Sequence, residues 1–421
     1  MKRIVICMDG TWQTLSQDNL TNIGLIARSV AHKETIRDET GAAKDYIHQT
    51  VIYTHGVGST IGALSRRSFM GEAAARFNRL AGGAFGEGLE DGIVDTYLRL
   101  AFNYEMGDEI FIFGFSRGAF AARRLAGLIN TAGIVSRRHV DKAWMAYRLY
   151  HDSPGRRASD AERQAHAEEA LQFRRLYGKG GRNADGTRFT VDEPPQIKFL
   201  GVFDTVIQRG FGDVIASLSP WGRRRYEFRN LHVCPNVQAA RHAVAVDEQR
   251  MAFPPTLWEG LEEANARARQ RPGADPDKTY YQQRWFVGTH GDVGGGVGSR
   301  LAALTLKWMA EGAAAEGLRF YGSYGDDLSP MDETLREAGL CFDAPITRPK
   351  GLKVFLPINF PSVGRRIWRE KRRTPTPQDF DALIDSTVAQ RALARELRYN
   401  PSSLRPFRKI LREHPPQHPN G

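Results

Sequence analysis

The sequence predicts an α/β fold, with a mostly parallel central sheet and helices on both of its faces. Over the first two thirds of the chain, short apolar runs typical of buried strands alternate with longer segments of helical periodicity. Such alternation produces βαβ units, in which the strands run parallel. The 421 residues can bury a substantial core, and we predict that residues 1–421 form a single domain.

Five apolar runs are the predicted central strands. In chain order they are Arg3–Met8, Val51–Tyr53, Ile110–Phe113, Ile197–Phe203 and Trp285–Val287. Three further segments have the apolar spacing of helices, and they are Asn22–Ala31, Leu89–Tyr104 and Ala119–Ile129. Ligands of a parallel sheet bind beyond the carboxyl ends of its strands, so residues that follow a strand are candidates for a functional site.

Two segments interrupt this alternation and are predicted to be cap insertions. The first, 136–192, is charged, rich in Arg and Ala, and lacks a strand-like run, so we expect helices that cover the sheet. Within it, Trp144, Tyr147 and Tyr150 follow helical spacing, which favours burial in the core. The second, 210–228, is an apolar stretch that ends in Pro-Trp and is followed by three arginines.

The C-terminal extension, 345–421, contains a similar combination of apolar residues, tryptophan and arginines in Val354–Arg373. Such segments can lie in a membrane interface and attract anionic headgroups. The alternative is that their apolar residues are buried and their arginines form a solvated face. The net charge of +11 and the pI near 9.6 fit an anionic lipid surface, nucleic acid or simple solubility. Because no nucleic-acid recognition motif is present, we expect no nucleic-acid partner.

The cysteines and the N-terminus limit where the protein works. The three cysteines are odd in number and scattered, so they predict neither a disulfide framework nor a metal site. No apolar run reaches the roughly 18 residues of a spanning helix. The run Ile4–Met8 is too short for a secretory signal. We therefore expect neither a signal peptide nor a transmembrane segment, and residence in the cytoplasm of the producing cell.

Ser116 is the strongest candidate for a catalytic residue. It lies in Gly114-Phe115-Ser116-Arg117-Gly118, which matches G-x-S-x-G between a predicted strand and a predicted helix. In that setting a strained turn exposes the hydroxyl, and the helix N-terminus favours developing negative charge. The alternative is a packed serine at a tight turn. A serine needs a base to act as a nucleophile, so the prediction depends on its partners.

Two predicted strands downstream end in residues that could serve as those partners. Asp204 follows the strand in KFLGVFDTV, and His290 follows the strand in RWFVGTHGDVGGG. The order Ser, Asp, His is that of α/β-hydrolases, in which the histidine accepts the serine proton and the aspartate orients the imidazole. The alternatives are a helix-capping role for Asp204 and a hydrogen-bonded loop histidine. Asp292 is a competing carboxylate, for which we favour a role in the loop.

An oxyanion hole requires backbone N–H groups directed at the tetrahedral oxygen. Arg117, directly after the nucleophile, is predicted to donate one. For the second, the loop Asp9-Gly10-Thr11 is preferred to the loop His55–Gly58, because Gly10 and Thr11 follow the first strand directly. We expect Asp9 to form hydrogen bonds across the site. No metal and no cofactor are predicted, and the glycines 294–296 lack the lysine of a phosphate-binding loop.

Five separated motifs, in one order, resemble the Tle-type lipase effectors of type VI secretion. The catalytic domain of that family was long catalogued as an uncharacterised α/β-hydrolase domain. The motifs are DGTW from Asp9, GVG from Gly56, GFSRGAFAAR, GVFDTV and WFVGTHGDVGGG. The segments RHAVAVDEQRMAFPPTLW and LRYNPSSL extend the resemblance over nearly the whole chain.

The resemblance implies an α/β-hydrolase-like fold with helical caps, and a phospholipid ester hydrolase with Ser116, Asp204 and His290 at the matching positions. It also implies an antibacterial effector exported by type VI secretion, with a component of the secretion apparatus and an immunity protein as partners. Two alternatives to the lipase remain open: an esterase for small soluble esters, and a catalytically silent hydrolase fold that serves as a binding module.

Overall fold

The structure of the protein is a computed structural model. It describes residues 1–10, 13–56, 85–155, 157–182, 188–189, 192–206, 231–250, 253–321, 343–347, 365–367 and 373–413. The predicted insertion 210–228 lies outside these residues, as does most of Val354–Arg373. The interfacial surface predicted on these two segments therefore stays a prediction, except at Arg365 and Ile367, which are buried in the protein.

The central sheet contains seven strands of the described chain. They are β1 (Lys2–Met8), β2 (Lys33–Arg37), β3 (Ala43–Thr54), β4 (Glu109–Phe115), β7 (Ile197–Phe203), β8 (Val237–Ala245) and β9 (Tyr281–Phe286), whereas β5 (Gly181–Arg182) and β6 (Arg188–Phe189) form a separate antiparallel pair. The strand order is β2-β3-β1-β4-β7-β8-β9, and every pairing is parallel except that of β2 with β3. The predicted mostly parallel sheet is confirmed, and each of the five predicted strands lies in it or overlaps it.

The α-helices of the described chain follow the strands. In chain order they are α1 (Asn22–Ser29), α2 (Phe85–Asn103), α3 (Arg117–Ala132), α4 (Ala143–His151), α5 (Asp160–Tyr177), α6 (Leu261–Arg269), α7 (His290–Gly294), α8 (Ala302–Ala315), α9 (Pro377–Leu383), α10 (Ser386–Leu393) and α11 (Arg408–Glu413). Short 3-10 helices span Arg137–Lys142, Arg395–Leu397 and Ser402–Phe407. No helix within the described ranges is both long and apolar enough to cross a membrane.

Alternation along the strands divides the core into two layers. In β1, Ile4 and Ile6 pack with α2, α3 and α4 on one face, whereas Val5 and Cys7 pack with α1 and α8 on the other. Successive side chains of a strand point to opposite faces, so a continuous apolar run such as that of β1 fits a sheet covered on both sides. The predicted arrangement of helices on both faces is confirmed.

The insertion 136–192 is largely helical, as predicted, and its helices α4 and α5 pack on α3. The absence of strand predicted for it is wrong, because β5 and β6 lie within it. The prediction for its aromatic residues holds in part. Tyr147 is buried, whereas 42% of the surface of Trp144 is exposed because this residue lies on the outer side of α4.

The C-terminal extension packs against β9, at the edge of the sheet. Ile384 forms a parallel bridge with Trp285, and the backbone N–H of Asp385 donates to the carbonyl of Trp285 at 2.9 Å. Beneath this bridge, apolar side chains from the extension, Val388 and Phe407 among them, form a third core cluster with Trp285. The edge of the sheet is thereby covered, and the extension comes close to the strand ends that carry the predicted site.

Candidate active site

Ser116 connects β4 to α3 through a strained backbone. Its φ of 59° and ψ of −120° lie outside the regions that residues with a Cβ favour. The flanking glycines make this turn possible. A Cβ on Gly114 would lie 2.5 Å from the Gly118 carbonyl oxygen, and one on Gly118 would lie 2.1 Å from the Met8 carbonyl oxygen. The G-x-S-x-G pattern thus reflects close backbone approach on both sides of the serine.

The structure brings the three predicted catalytic residues together. His290 Nε2 lies 2.8 Å from Ser116 Oγ, and His290 Nδ1 lies 2.7 Å from Asp204 Oδ2. Asp204 directly follows β7, and His290 begins α7 after β9. All three side chains are buried, Asp204 completely. Because an ionised carboxylate only accepts, Nδ1 carries a proton toward Asp204, and Nε2 is positioned to accept the serine proton.

Asp204 also binds an arginine that the sequence analysis did not single out. Arg365 donates from Nη1 to Oδ1 at 2.5 Å and from Nη2 to Oδ2 at 3.0 Å. The backbone N–H of Ala245 donates to Oδ1 at 3.1 Å. Burial alone would raise the pKa of Asp204, but the charge of Arg365 and the hydrogen bond from His290 hold it well below its usual range. The carboxylate is therefore ionised across the physiological pH range.

Two aromatic rings pack against the imidazole of His290. The rings of Phe115 and Phe253 lie 4.7 and 5.0 Å from the imidazole, centroid to centroid. The backbone N–H of His290 donates to Glu248 Oε2 at 3.2 Å. Burial would raise the pKa of Glu248, but its hydrogen bonds with Arg250 lower it. These contacts leave little freedom for the ring to turn away from the serine.

Asp292 shapes the loop instead of contacting the histidine ring. Its carboxylate accepts hydrogen bonds from the backbone N–H and the hydroxyl of Thr289, at 2.8 and 2.9 Å, and from the hydroxyl of Thr347 at 2.5 Å. The glycine run that follows allows close packing. A Cβ on Gly294 would lie 1.9 Å from the ring of Phe115. This run is explained by packing, without a phosphate.

The preferred oxyanion loop lies directly beside the serine. A Cβ on Gly10 would lie 3.5 Å from the Ser116 Cβ. The backbone N–H of Gly10, however, donates to Asp9 Oδ1 at 2.7 Å. Asp9 also accepts from Thr21 at 2.8 Å and from Tyr53 at 2.5 Å, and burial raises its pKa despite these bonds. Asp9 therefore holds the loop together.

The remaining candidate donors are described in part. Arg117 is the first residue of α3, as the prediction requires, and burial lowers the pKa of its guanidinium to about 10. Thr11 lies outside the described residues, as do Val57 and Gly58 of the alternative loop. In that loop the backbone N–H of Gly56 donates to the carbonyl of Gln13 at 3.3 Å. Where the chain is described, no group of three or more His, Cys, Asp or Glu is arranged to hold a metal ion.

These features define an α/β-hydrolase-like fold. The sheet is mostly parallel, a strained serine lies between a strand and a helix, and an aspartate and a histidine follow two later strands. Residues 2–312 match a family described as the type VI secretion system (T6SS) phospholipase effector Tle1-like catalytic domain. The chain belongs to this family. It is therefore a member of a phospholipase effector family, and the resemblance noted in the five motifs is confirmed.

The similarity of the chain to individual proteins is low. Over 260 residues the chain is 29% identical to an uncharacterized protein of Saccharomyces cerevisiae. The aligned residues make up 60% of this chain and 32% of the yeast protein. An uncharacterized protein from Pseudomonas aeruginosa has a structure with 18% identity and a TM-score of 0.38, covering 79% of this chain and 48% of the other. The Tle1 effector bound to the VgrG spike has 16% identity and a TM-score of 0.32, covering 70% and 52%. The chain thus spans about a third of the yeast relative and about half of each solved chain.

Proposed function

We propose that the protein is a serine hydrolase that cleaves acyl esters of glycerophospholipids through an acyl-enzyme. The observation that carries this proposal is the continuous row of hydrogen bonds from Asp204 through His290 to Ser116 Oγ. This row supplies a nucleophile, a base and an orienting carboxylate in one buried site. Membership in a phospholipase family supports a lipid ester as the substrate.

In the first half of the reaction, Ser116 Oγ attacks the ester carbonyl carbon while His290 Nε2 takes the hydroxyl proton. The tetrahedral intermediate collapses, and the proton on Nε2 passes to the departing alkoxide, which leaves as a lysophospholipid. In the second half, His290 takes a proton from water, whose oxygen attacks the acyl carbon, and Ser116 leaves with the proton returned. Asp204 accepts from Nδ1–H throughout and stabilises the imidazolium.

The oxyanion of each tetrahedral intermediate needs two donors. We assign one to the backbone N–H of Arg117, at the start of α3. The second comes from the loop of Asp9, Gly10 and Thr11. Because the N–H of Gly10 already donates to Asp9, Thr11 is the member of this loop that we assign to the oxyanion. The loop of His55 to Gly58 is the alternative source.

The wider role follows from the family and the charge of the chain. We propose that an anionic membrane surface is the working environment, since a net charge of +11 favours it. Export by type VI secretion, a secretion-apparatus partner and an immunity protein are proposed from family membership alone. The relative in yeast indicates that similar chains occur outside bacteria, so the proposal of an enzyme and the proposal of a toxin require separate tests.

The test is hydrolysis of mixed phospholipid liposomes by the purified protein and by Ser116→Ala, read by mass spectrometry. We expect fatty acid and lysophospholipid from the wild type alone, and the lysophospholipid identifies the ester bond that is cut. Ser116-dependent hydrolysis of a short-chain ester without lipid cleavage would favour the soluble esterase. Failure to react with a fluorophosphonate, together with inactivity on both substrates, would favour a binding module.

A further inference from the structure

The chain beyond residue 312, where the family match ends, reaches the edge of the sheet that carries the triad. Three of its side chains each donate a hydrogen bond to a carboxylate there. They are Arg365 to Asp204, Thr347 to Asp292 and Tyr399 to Asp247. Two of these carboxylates support the loop of His290, and the third is the triad aspartate itself. The extension is thus part of the site's construction.

Arg365 is held firmly in its place on Asp204. Besides its two bonds to the carboxylate, Nη1 donates to the carbonyl of Ala245 at 3.0 Å and Nη2 to the carbonyl of Phe253 at 2.8 Å. The residue is 6% exposed, and Asp204 is fully buried. The guanidinium is therefore fixed by a backbone carbonyl at the end of β8 and by another beyond it, as well as by the carboxylate. A planar fork of this kind restricts rotation of the carboxylate.

Asp204 Oδ2 accepts from two donors at once, Arg365 Nη2 and His290 Nδ1. If the carboxylate turned about its Cβ–Cγ bond, the bond to the imidazole would be lost. The fork of Arg365 opposes that rotation. Its charge acts separately. A buried, uncompensated carboxylate favours the protonated imidazolium, and a histidine that is already protonated cannot accept the serine proton.

Other ionisable groups lie near the Asp204–His290 pair. His242 lies near Asp204, but burial and the charge of Arg123 lower its pKa to about 3, so it is neutral. Glu248 accepts from the backbone of His290 and is paired with Arg250, at 2.7 and 2.9 Å. The negative charge of Glu248 is thereby matched within its own pair. The charge that bears directly on the Asp204–His290 bond is that of Arg365.

We propose that Arg365 is a positioning residue of the triad, which aims the Asp204 carboxylate at His290 and offsets the negative charge of that carboxylate. This inference rests on the proposed function, because it assumes that Ser116 is activated by His290. It assigns a role in the hydrolase site to a residue outside the matched catalytic region. Arg365 itself touches no reacting atom.

The test measures the second-order rate at which an uncharged fluorophosphonate labels Ser116 between pH 5 and 9. In Arg365→Gln we expect the acidic limb of this profile to move up by about one pH unit, because the charge is lost. We also expect the plateau rate to fall about tenfold, because the carboxylate is no longer aimed. Arg365→Lys keeps the charge without the fork. In that variant the plateau should fall while the acidic limb stays at the wild-type pH.

Arg391→Gln is the matched control, because Arg391 is a second buried arginine of the extension and its guanidinium donates to the backbone carbonyl of Ala344. We expect this variant to lose stability while its labelling profile stays within twofold of the wild type. A profile of Arg365→Gln that superimposes on the wild type would overturn the proposal. An equal shift in Arg391→Gln would do so too, since the effect would then be one of general stability.

The design separates this proposal from the one on which it rests. If the fluorophosphonate labels the wild type but not Ser116→Ala, the serine hydrolase is supported, whatever the result for the Arg365 variants. If the wild type is not labelled, the serine hydrolase is refuted. If Arg365→Gln fails to fold, Arg365→Lys decides the question. A folded lysine variant with a wild-type plateau would contradict the positioning role.

Discussion

Gly118 lies where the helix that follows Ser116 packs closely against the end of β1. It lies in the first turn of α3, where a Cβ would approach the carbonyl oxygens of Met8 and Asp9 to 2.1 and 2.4 Å. An ordinary carbon–oxygen contact is about 3.3 Å or longer. The backbone atoms of Met8 and Asp9 cannot rotate aside as a side chain can. In Gly118→Ala the N-terminus of the helix must therefore withdraw from the sheet by about 1 Å.

Two opposing effects set the stability of this variant. Replacing Gly by Ala inside a helix contributes about 1 kcal/mol to stability. Overpacking against rigid neighbours costs about 1–3 kcal/mol or more. We expect a net loss of up to about 2 kcal/mol in the free energy of unfolding. The effect on activity is larger, because Ser116 and Arg117 move with the helix, and a misplacement of about 1 Å lowers the rate about 100-fold.

Gly92→Ala is the matched control. Gly92 lies within α2, and a Cβ there would meet no heavy atom of the described residues within 4 Å. We expect this variant to gain about 0.5–1 kcal/mol and to retain the wild-type rate. Urea unfolding gives the stability of both variants, and hydrolysis of a short-chain ester gives their activity. If Gly118→Ala gained stability as Gly92→Ala does and kept its activity, the argument from the close approach would be wrong.

Three further perturbations test other parts of the site. Ser116→Gly should be about 1 kcal/mol more stable to urea than Ser116→Ala, because a φ of 59° strains any residue with a Cβ; equal stabilities would contradict this strain. Asn22→Ala removes an amide that donates to three acceptors beside the His290 helix, and should lower the free energy of unfolding by about 2–3 kcal/mol; wild-type stability would show that the amide is dispensable. Burial raises the pKa of Asp247 to about 6, so its stabilising contribution is complete below about pH 4 and is lost as the pH rises through 6. Unfolding between pH 4 and 8 should show that loss, on the order of 2 kcal/mol, in the wild type but not in Asp247→Asn.

Strands β8 and β2 were not predicted, because a local sequence pattern does not reveal strands that are defined by their pairing. β8, with the sequence VQAARHAVA, is rich in alanine and carries Gln, Arg and His, a composition closer to that of a helix. Its place between β7 and β9 makes it a strand. β2 is a short, largely exposed edge strand, KETIR, without an apolar run. In both, the pairing with neighbouring strands determines the structure.

That Ser116, Asp204 and His290 lie together could be predicted because each follows a strand, and the ends of neighbouring parallel strands meet at one edge of the sheet. Topology thus converts separations of 86 and 174 residues along the chain into contacts. Arg365 offered no such signal. It lies 161 residues from Asp204 within a run of arginines and apolar residues. Nothing in that run distinguishes Arg365, which is buried, from its neighbour Arg366, which is exposed.

The proposed site depends on residues beyond those that match the family. Residues 2–312 match the family and contain all three residues of the proposed triad, yet the guanidinium that balances the buried Asp204 comes from residue 365. A buried carboxylate that loses its cationic partner is destabilised by about 3–5 kcal/mol, or it draws a proton onto its neighbour. Either outcome would impair a site in which that neighbour is His290, the proposed base. A chain cut where the family match ends would also uncover Trp285 and the core cluster beneath it. The extension therefore completes both the core beside β9 and the surroundings of the proposed site.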